Sequence, residues 1–320
     1  MKAVVQRRYG PPDVLRVEEI DRPAPAHGQV LLRVRAASVN PADWHAIRGR
    51  PFLVRLVGYG LRTPTHGTPG TDVAGVVEAV GADVTGLQPG DEVFGWARGS
   101  YAEFATARAD RLALKPGTIT FEQAAAVPTA GVTALQGLRE TGRLSAGQQV
   151  LVIGASGGVG TFAVQIAKAL GAEVTGVCSA RNVEFLRSIG ADDAIDYTRE
   201  DVVRSGRRYD LVFQLAGTRS PLALRRILRP TGTLVLCSGD GPISGLDRIA
   251  LAAAASRFGR QRLVAFVARQ RDVDLATLKE LIEAGRIRPI LDRTYPLVDT
   301  PEAIRYVEAR HARGKVVIHA

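Results

Sequence analysis

The sequence predicts an α/β protein in which a doubly wound parallel-sheet domain is joined to a second, β-rich domain. Three observations predict it. A glycine cluster at Gly154–Gly160 is entered by the β-branched run Val150–Ile153 and left by a long apolar-periodic segment ending near Leu170. From about Phe121 onward, helical stretches alternate with short apolar runs, the order that builds a parallel sheet covered on both faces. Residues 1–118 have another texture: short strand-like runs, frequent Gly and Pro, and little helical period.

In chain order, strands are expected over Lys2–Arg7, Val14–Glu19, Gln29–Ala36, Val73–Val80, Glu92–Trp96 and Tyr101–Ala105, with one helix over Pro41–Arg48. Helices over Gly131–Glu140, Val159–Leu170, Asn182–Ser188 and Pro221–Leu228 then alternate with strands over Val150–Ile153, Glu173–Cys178, Ala194–Asp196, Asp210–Gln214 and Thr233–Cys237. An alanine-rich helix, Leu246–Arg257, leads to a sixth strand, Leu263–Val267. The tail returns to mixed texture: helix Asp274–Ala284, strand Arg293–Pro296, helix Pro301–Arg310 and strand Lys315–His319. There is no internal repeat or low-complexity tract.

The glycine cluster carries the chemistry. A strand, a tight glycine turn and a helix aim the free N–H groups of the first helical turn at an anion. Glycine lets the backbone approach a pyrophosphate because no Cβ intervenes. The spacing reads Ala155-x-Gly157-x-x-Gly160 with Gly154 ahead of it, and Ala172–Cys178 supplies the second strand of a Rossmann βαβ unit. Ala155, Ser156, Gly157, Gly158, Val159 and Gly160 are therefore expected at the cofactor. An NAD site usually carries a carboxylate after the second strand. Here that place holds Cys178-Ser179-Ala180-Arg181, and a hydroxyl with a guanidinium suits a 2′-phosphate. NADPH is the cofactor expected, with Ser179 and Arg181 at its phosphate and Tyr197 toward the adenine-ribose end.

Composition bounds the class. A chain of 320 residues suits two domains, and 46% hydrophobic with 23% charged residues is globular. No apolar run approaches about 18 residues, so no membrane span is expected. The start, Met1-Lys-Ala-Val-Val, reads as an immediate strand rather than a signal. Two cysteines, Cys178 and Cys237, are too few for a disulfide framework, and a cytoplasmic, reducing setting is expected. The net charge of +10 comes almost wholly from scattered arginines, with no basic run and only 6% aromatics. That pattern argues against nucleic-acid binding, which needs a clustered stripe.

Several collinear segments resemble one family: Ser38-Val-Asn-Pro-Ala-Asp43, Gly70-Thr-Asp-Val-Ala-Gly75, Pro89-Gly-Asp-Glu-Val-Phe94, Ala124–Ala134, Gly154–Gly160 and Gly314-Lys-Val-Val-Ile318. Together they resemble the zinc-independent branch of the medium-chain dehydrogenase/reductase superfamily, the quinone oxidoreductase group. The resemblance implies a GroES-like catalytic domain over residues 1–119, rejoined by 271–320, with a Rossmann dinucleotide-binding domain over 120–270 and the active site in the cleft. It also implies cofactor contacts from Thr129, Thr133, Ala216, Cys237, Ser238 and Lys315, and a homodimer paired through the edge strand Leu263–Val267.

The zinc-bearing branch places cysteine, a Gly-His-Glu histidine and cysteine where this chain has Asn40, Gly70-Thr71-Asp72 and Thr129. Zinc wants thiolate or imidazole in a tetrahedral set, so no catalytic metal is expected; His66, four residues before Gly70, reads as a loop histidine. Without a Lewis acid, the acceptors expected are those that delocalise added charge onto an oxygen: quinones and α,β-unsaturated carbonyls. Asn40 is the family-implied catalytic donor to that oxygen, although a cap for the helix at Pro41 is its other reading. Asp43 reads as a loop fixture. The apolar stretch Pro51–Gly60, with Gly241–Arg260, is read either as an apolar wall for the acceptor or as a buried segment, and Tyr59 is the nearest phenol. Two other functions fit the same residues: an enoyl-thioester reductase and a non-catalytic NADPH-binding regulator.

Overall fold

The structure is a computed structural model that describes residues 1–52, 55–56, 60–65, 67–237, 246–257, 259–310 and 312–320. Along the chain run β1 (Lys2–Gln6), β2 (Leu15–Glu19), β3 (Gln29–Val39), α1 (Pro41–Arg48), β4 (Asp72–Val80), β5 (Glu92–Trp96), β6 (Phe104–Arg108), β7 (Leu112–Leu114) and α2 (Phe121–Ala125). Next come α3 (Pro128–Gln136), β8 (Gln149–Ile153), α4 (Gly158–Ala169), β9 (Glu173–Cys178), α5 (Val183–Ser188), β10 (Asp193–Asp196), β11 (Tyr209–Gln214), α6 (Pro221–Arg225), β12 (Leu228–Leu236), α7 (Leu246–Ala255) and β13 (Arg262–Ala265). The chain closes with α8 (Asp272–Glu283), β14 (Leu291–Pro296), α9 (Thr300–Glu308) and β15 (Lys315–His319).

Two compact units result. One comprises Met1–Thr129, Gln270–Glu283 and Pro289–Ala320; the other comprises Ala130–Arg269 and Ala284–Arg288. The boundaries depart from those expected in two places. Residues 120–129 join the first unit because α2 packs on β3, β4 and β5. Residues 284–288 join the second because Gln165 of α4 grips Arg288 through both its amide groups, at 3.0 and 2.9 Å.

In the first unit a sheet runs in the order β14-β15-β3-β4-β5-β7, with β6 also paired to β3 and a separate β1–β2 ribbon. Only β14 and β15 run parallel; the other pairs are antiparallel. Two register shifts bend β3 against β4, between Leu31 and Leu32 and between Val34 and Ala36. Val30, Leu32, Val34, Val73, Val77 and Val93 pack on one side, and Val4, Val39, Ile47, Tyr101, Ile304 and Ile318 form a second cluster. Helix α1 starts with Pro41 and stops at Gly49 in the left-handed region (φ 60°), the pattern of proline at the start and glycine past the end.

The second unit is a parallel six-stranded sheet in the order β10-β9-β8-β11-β12-β13. That is the dinucleotide-fold order 3-2-1-4-5-6, whose reversal lies between β8 and β11. Near-continuous apolar runs fit strands buried on both faces: Leu151, Val177, Val212, Leu234 and Leu263 share one core cluster.

Local differences from expectation have physical causes. The strand expected over Tyr101–Ala105 forms over Phe104–Arg108 instead. The Tyr101 N–H bonds to Pro69 O and its ring is wholly buried, so only an isolated bridge ties Ala102 to Ala3. The helix expected over Gly131–Glu140 begins at Pro128 and passes into a π-helical turn, Gly137–Thr141. Gly137 sits against Phe213 so closely that a Cβ would lie 2.4 Å from its Cζ. β7 and α2 are short elements that the periodicity did not reveal.

Candidate active site

The dinucleotide half is built mostly by backbone. Gly154, at φ +86°, turns the chain out of β8; a Cβ there would stand 2.8 Å from the Ala216 Cβ. Gly157 caps α4, and a Cβ on it would meet only Gly154 O at 3.5 Å, which leaves its outer side open. Gly160 has the opposite environment: a Cβ would fall 2.2 Å from Gly154 O and 2.6 Å from the Ala155 carbonyl. It is the glycine that lets α4 pack on β8. The first N–H groups of α4 have no intrahelical acceptor and stand with the positive end of the helix dipole at this turn. Ala155, Ser156, Gly157, Gly158, Val159 and Gly160 thus form the turn and first helical residues expected of a pyrophosphate cradle.

Ser179 and Arg181 follow β9, and Asn182 links that loop to the glycine turn. Its Nδ2 donates to Ser156 Oγ at 3.2 Å and to Ser179 Oγ at 3.4 Å. Sequence reasoning passed over Asn182, although its amide adjacent to Arg181 was a usable signal. Tyr197 follows β10 and is 60% exposed, its N–H held by Cys178 O. Ala216 lies against Gly154, and its loop is braced from below by Gln214, whose Nε2 donates to Ala216 O and Gly217 O. Buried Arg248 supports the same loop by donating to Gly217 O at 3.0 Å, to Arg219 O at 3.1 Å and to Gln214 Oε1. Neither Gln214 nor Arg248 was anticipated. Thr133 is buried on α3. Burial pushes the thiols up, Cys237 to about 12 and Cys178 to about 11, so neither is a nucleophile at neutral pH. Ser238, Tyr59, His66 and much of the apolar stretches 51–60 and 241–260 lie outside the described residues.

The first unit holds a buried polar cluster centred on Asp72 at the start of β4. Its Oδ2 accepts from Ser38 Oγ (3.1 Å), Asn40 Nδ2 (2.9 Å) and Thr129 N (3.3 Å), and its Oδ1 accepts from Thr129 Oγ1 (2.6 Å). Trp96 Nε1 donates to Thr129 Oγ1 at 3.2 Å. Lys315 Nζ donates to Asn40 Oδ1 at 2.5 Å and to Val39 O at 3.2 Å, and stands 3.8 Å from Asp72 Oδ2. Strand register assembles these groups: Ser38 faces Asp72 across β3–β4, and Val39 faces Val316 across β3–β15. Asp43 completes the cluster, accepting from Asn40 N at 2.7 Å and from Tyr101 Oη at 2.9 Å.

Asn40 is the N-cap residue of α1, its amide bonds to Asp72 and Lys315, and Asp43 receives the Asn40 N–H in the manner of a capping box. Thr129 and Lys315, expected at the cofactor, commit their side chains to this cluster. Burial pushes the Asp43 carboxyl up to about 7, helped by the Asp72 charge and opposed by its hydrogen bonds and Lys315. Burial also drives the Tyr101 phenol well above its usual value, with Asp43 adding to the rise. Lys315 is pulled below the usual lysine range by burial, against the pull of Asp72 and Asp43.

Comparison with known proteins fits both halves. The family described as "Alcohol dehydrogenase GroES-like domain" matches residues 26–164, and that described as "Zinc-binding dehydrogenase" matches residues 189–318. The chain is 34% identical to the mitochondrial NAD(P)H oxidoreductase RTN4IP1 of Mus musculus, over 100% of this chain and 89% of that protein. The chain belongs to the quinone oxidoreductase group of the medium-chain dehydrogenase/reductase family. It is also 35% identical to a chloroplastic NADPH-dependent alkenal/one oxidoreductase of Arabidopsis thaliana, over 100% of this chain and 79% of that one. The Escherichia coli quinone oxidoreductase complexed with NADPH superposes with a TM-score of 0.86 at 26% identity, covering 100% of both chains.

The zinc in one family description does not suit the residues of this member. At the three positions corresponding to the metal ligands stand the amide of Asn40 and the hydroxyls of Thr71 and Thr129, and the neighbouring carboxylate, Asp72, already accepts four hydrogen bonds. An ammonium group sits 3.8 Å from that carboxylate, where it would repel a divalent cation. Zinc sites want thiolate or imidazole, and no group of three His, Cys, Asp or Glu that could hold a metal occurs among the described residues.

Proposed function

We propose that this chain reduces a quinone or an α,β-unsaturated carbonyl with NADPH, without a metal. The observation that carries this reading is the buried Asp72–Asn40–Lys315 cluster, a polar donor set with its own internal cation, in a chain that also holds the glycine turn at β8. When bound, NADPH supplies the hydride. The chain's residues do the rest. The backbone at Gly157–Gly160 and the start of α4 receive the pyrophosphate, while Ser179 and Arg181 hold the 2′-phosphate. The relative complexed with NADPH and the NADPH-dependent alkenal/one relative support that cofactor. The Asn40 Nδ2 group donates to the oxygen on which negative charge gathers, a contact that strengthens as the charge develops. The final proton comes from solvent. Acceptors of this kind need no Lewis acid, because conjugation carries the charge to one oxygen.

A homodimer in a cytoplasmic setting belongs to the same reading. It is supported by β13, which ends the parallel sheet with an edge that pairs with no other strand among the described residues, and by two free cysteines. No helix among the described residues is long and apolar enough to cross a membrane.

The test is stopped-flow oxidation of NADPH against quinones, 2-alkenals and enoyl thioesters. Fast turnover is expected with the first two. Preference for the thioesters would make the chain an enoyl-thioester reductase, and tight NADPH binding with no turnover would make it a regulator. In the same assay R181A is expected to cut the preference for NADPH over NADH by about tenfold, the worth of one charge-assisted contact; an unchanged preference would remove Arg181 from the phosphate site.

A further inference from the structure

Asn40 is gripped at both ends of its amide. Oδ1 accepts from the Lys315 ammonium at 2.5 Å, and Nδ2 donates to the Asp72 carboxylate at 2.9 Å. An ammonium group only donates and a carboxylate only accepts, so one orientation of the amide satisfies both neighbours and the flipped one satisfies neither. Nδ2 carries two hydrogens. Asp72 takes one, and the second has no acceptor among the described residues. Lys315 is fixed just as firmly. It is 3% exposed, its Nζ also donates to Val39 O at 3.2 Å, and it opens β15 directly beside the end of β3.

We infer that Lys315 is a positioning residue for the reduction: its ammonium locks the Asn40 amide and polarises its carbonyl, so that the second N–H is offered to the acceptor oxygen as a strengthened donor. A positive charge on the carbonyl side of an amide draws density from nitrogen, and in a buried setting that polarisation is little screened. The ammonium also compensates Asp72, which would otherwise be an unpaired buried carboxylate. On this inference Lys315 acts on the acceptor through Asn40. The inference rests on the proposed reading of Asn40 as donor.

The test is a double-mutant cycle on the full chain. kcat with a quinone at saturating NADPH, and NADPH Kd by fluorescence titration, are measured for wild type, N40A, K315M and N40A/K315M. N40A and K315M are each expected to lower kcat by about tenfold or more while Kd moves less than about threefold. The double variant is expected to fall no further than N40A, because one residue acts through the other. A normal kcat in K315M with a low kcat in N40A overturns the inference and spares the reading of Asn40; a normal kcat in N40A overturns both. Tenfold weaker NADPH binding with kcat intact in K315M makes Lys315 a cofactor ligand and overturns it too, as do additive losses in the double variant. K315Q, which keeps an N–H donor without the charge, serves if Met prevents folding. It is expected to lose kcat at constant Kd, and a wild-type kcat in K315Q contradicts the inference.

Discussion

The glycine turn at β8 and the polar cluster around Asp72 are made in opposite ways. The turn is contiguous, seven residues from Gly154 to Gly160, four of them glycines, so that what it presents is mostly backbone. The cluster draws side chains from Ser38, Asn40, Asp43, Asp72, Tyr101, Thr129 and Lys315, and exists only because β3 lies between β4 and β15. The first depends on what is missing, since a Cβ at Gly160 would strike backbone. The second depends on what is present, because each polar group buried there must find its partner. The turn is built from main chain, and the cluster is built from side chains.

The most severe way to break that contrast is D72N. It leaves Lys315 as a buried cation without its carboxylate and sets an NH₂ group among donors. A loss of about 3–5 kcal/mol is expected, as for removing one partner of a buried ion pair, read from urea unfolding. A loss below about 1 kcal/mol would show that the cluster does not tie β3, β4 and β15 together. A smaller effect, involving one proton, comes from Asp43. Its carboxyl titrates near 3.8 when unfolded and at about 7 when folded, so between those values the folded chain holds a proton that the unfolded chain has released. The stability Asp43 contributes is therefore full below pH 3.8 and is lost as pH rises through about 7. Denaturation midpoints should fall across that window in wild type and fall less in D43N, which cannot ionise; identical slopes would mean that Asp43 titrates normally.

The same contrast explains what the sequence could disclose. The parallel sheet, its helices and the glycine turn were legible because each is local: an apolar run, a glycine and a period lie within a few residues. Ser179 and Arg181 were legible as the residues that follow the second strand. The cluster was legible only in part. Asn40 was flagged by resemblance, but its partners lie 32 and 275 positions away, and no local pattern links Lys315 to Asn40. Thr129 and Lys315 were read only as cofactor contacts, and their places in the cluster were not foreseen. Gln214 and Arg248 went unnoticed because bracing a loop from below leaves no sequence period. The strand expected at Tyr101 slipped because the ring was needed in the core, where its phenol reaches Asp43.

The division of labour is tested most directly by measuring NADPH Kd and the single-turnover rate of NADPH oxidation side by side in G157A and N40A. Ala fits at position 157 without a clash, since its Cβ meets only Gly154 O at 3.5 Å, but in the proposed site it would intrude where the pyrophosphate approaches. The account predicts that G157A weakens NADPH about tenfold and keeps the limiting rate, whereas N40A keeps the affinity and loses about 100-fold in rate. If both variants move affinity and rate together, or N40A leaves the rate intact, the separation of binding from chemistry is contradicted.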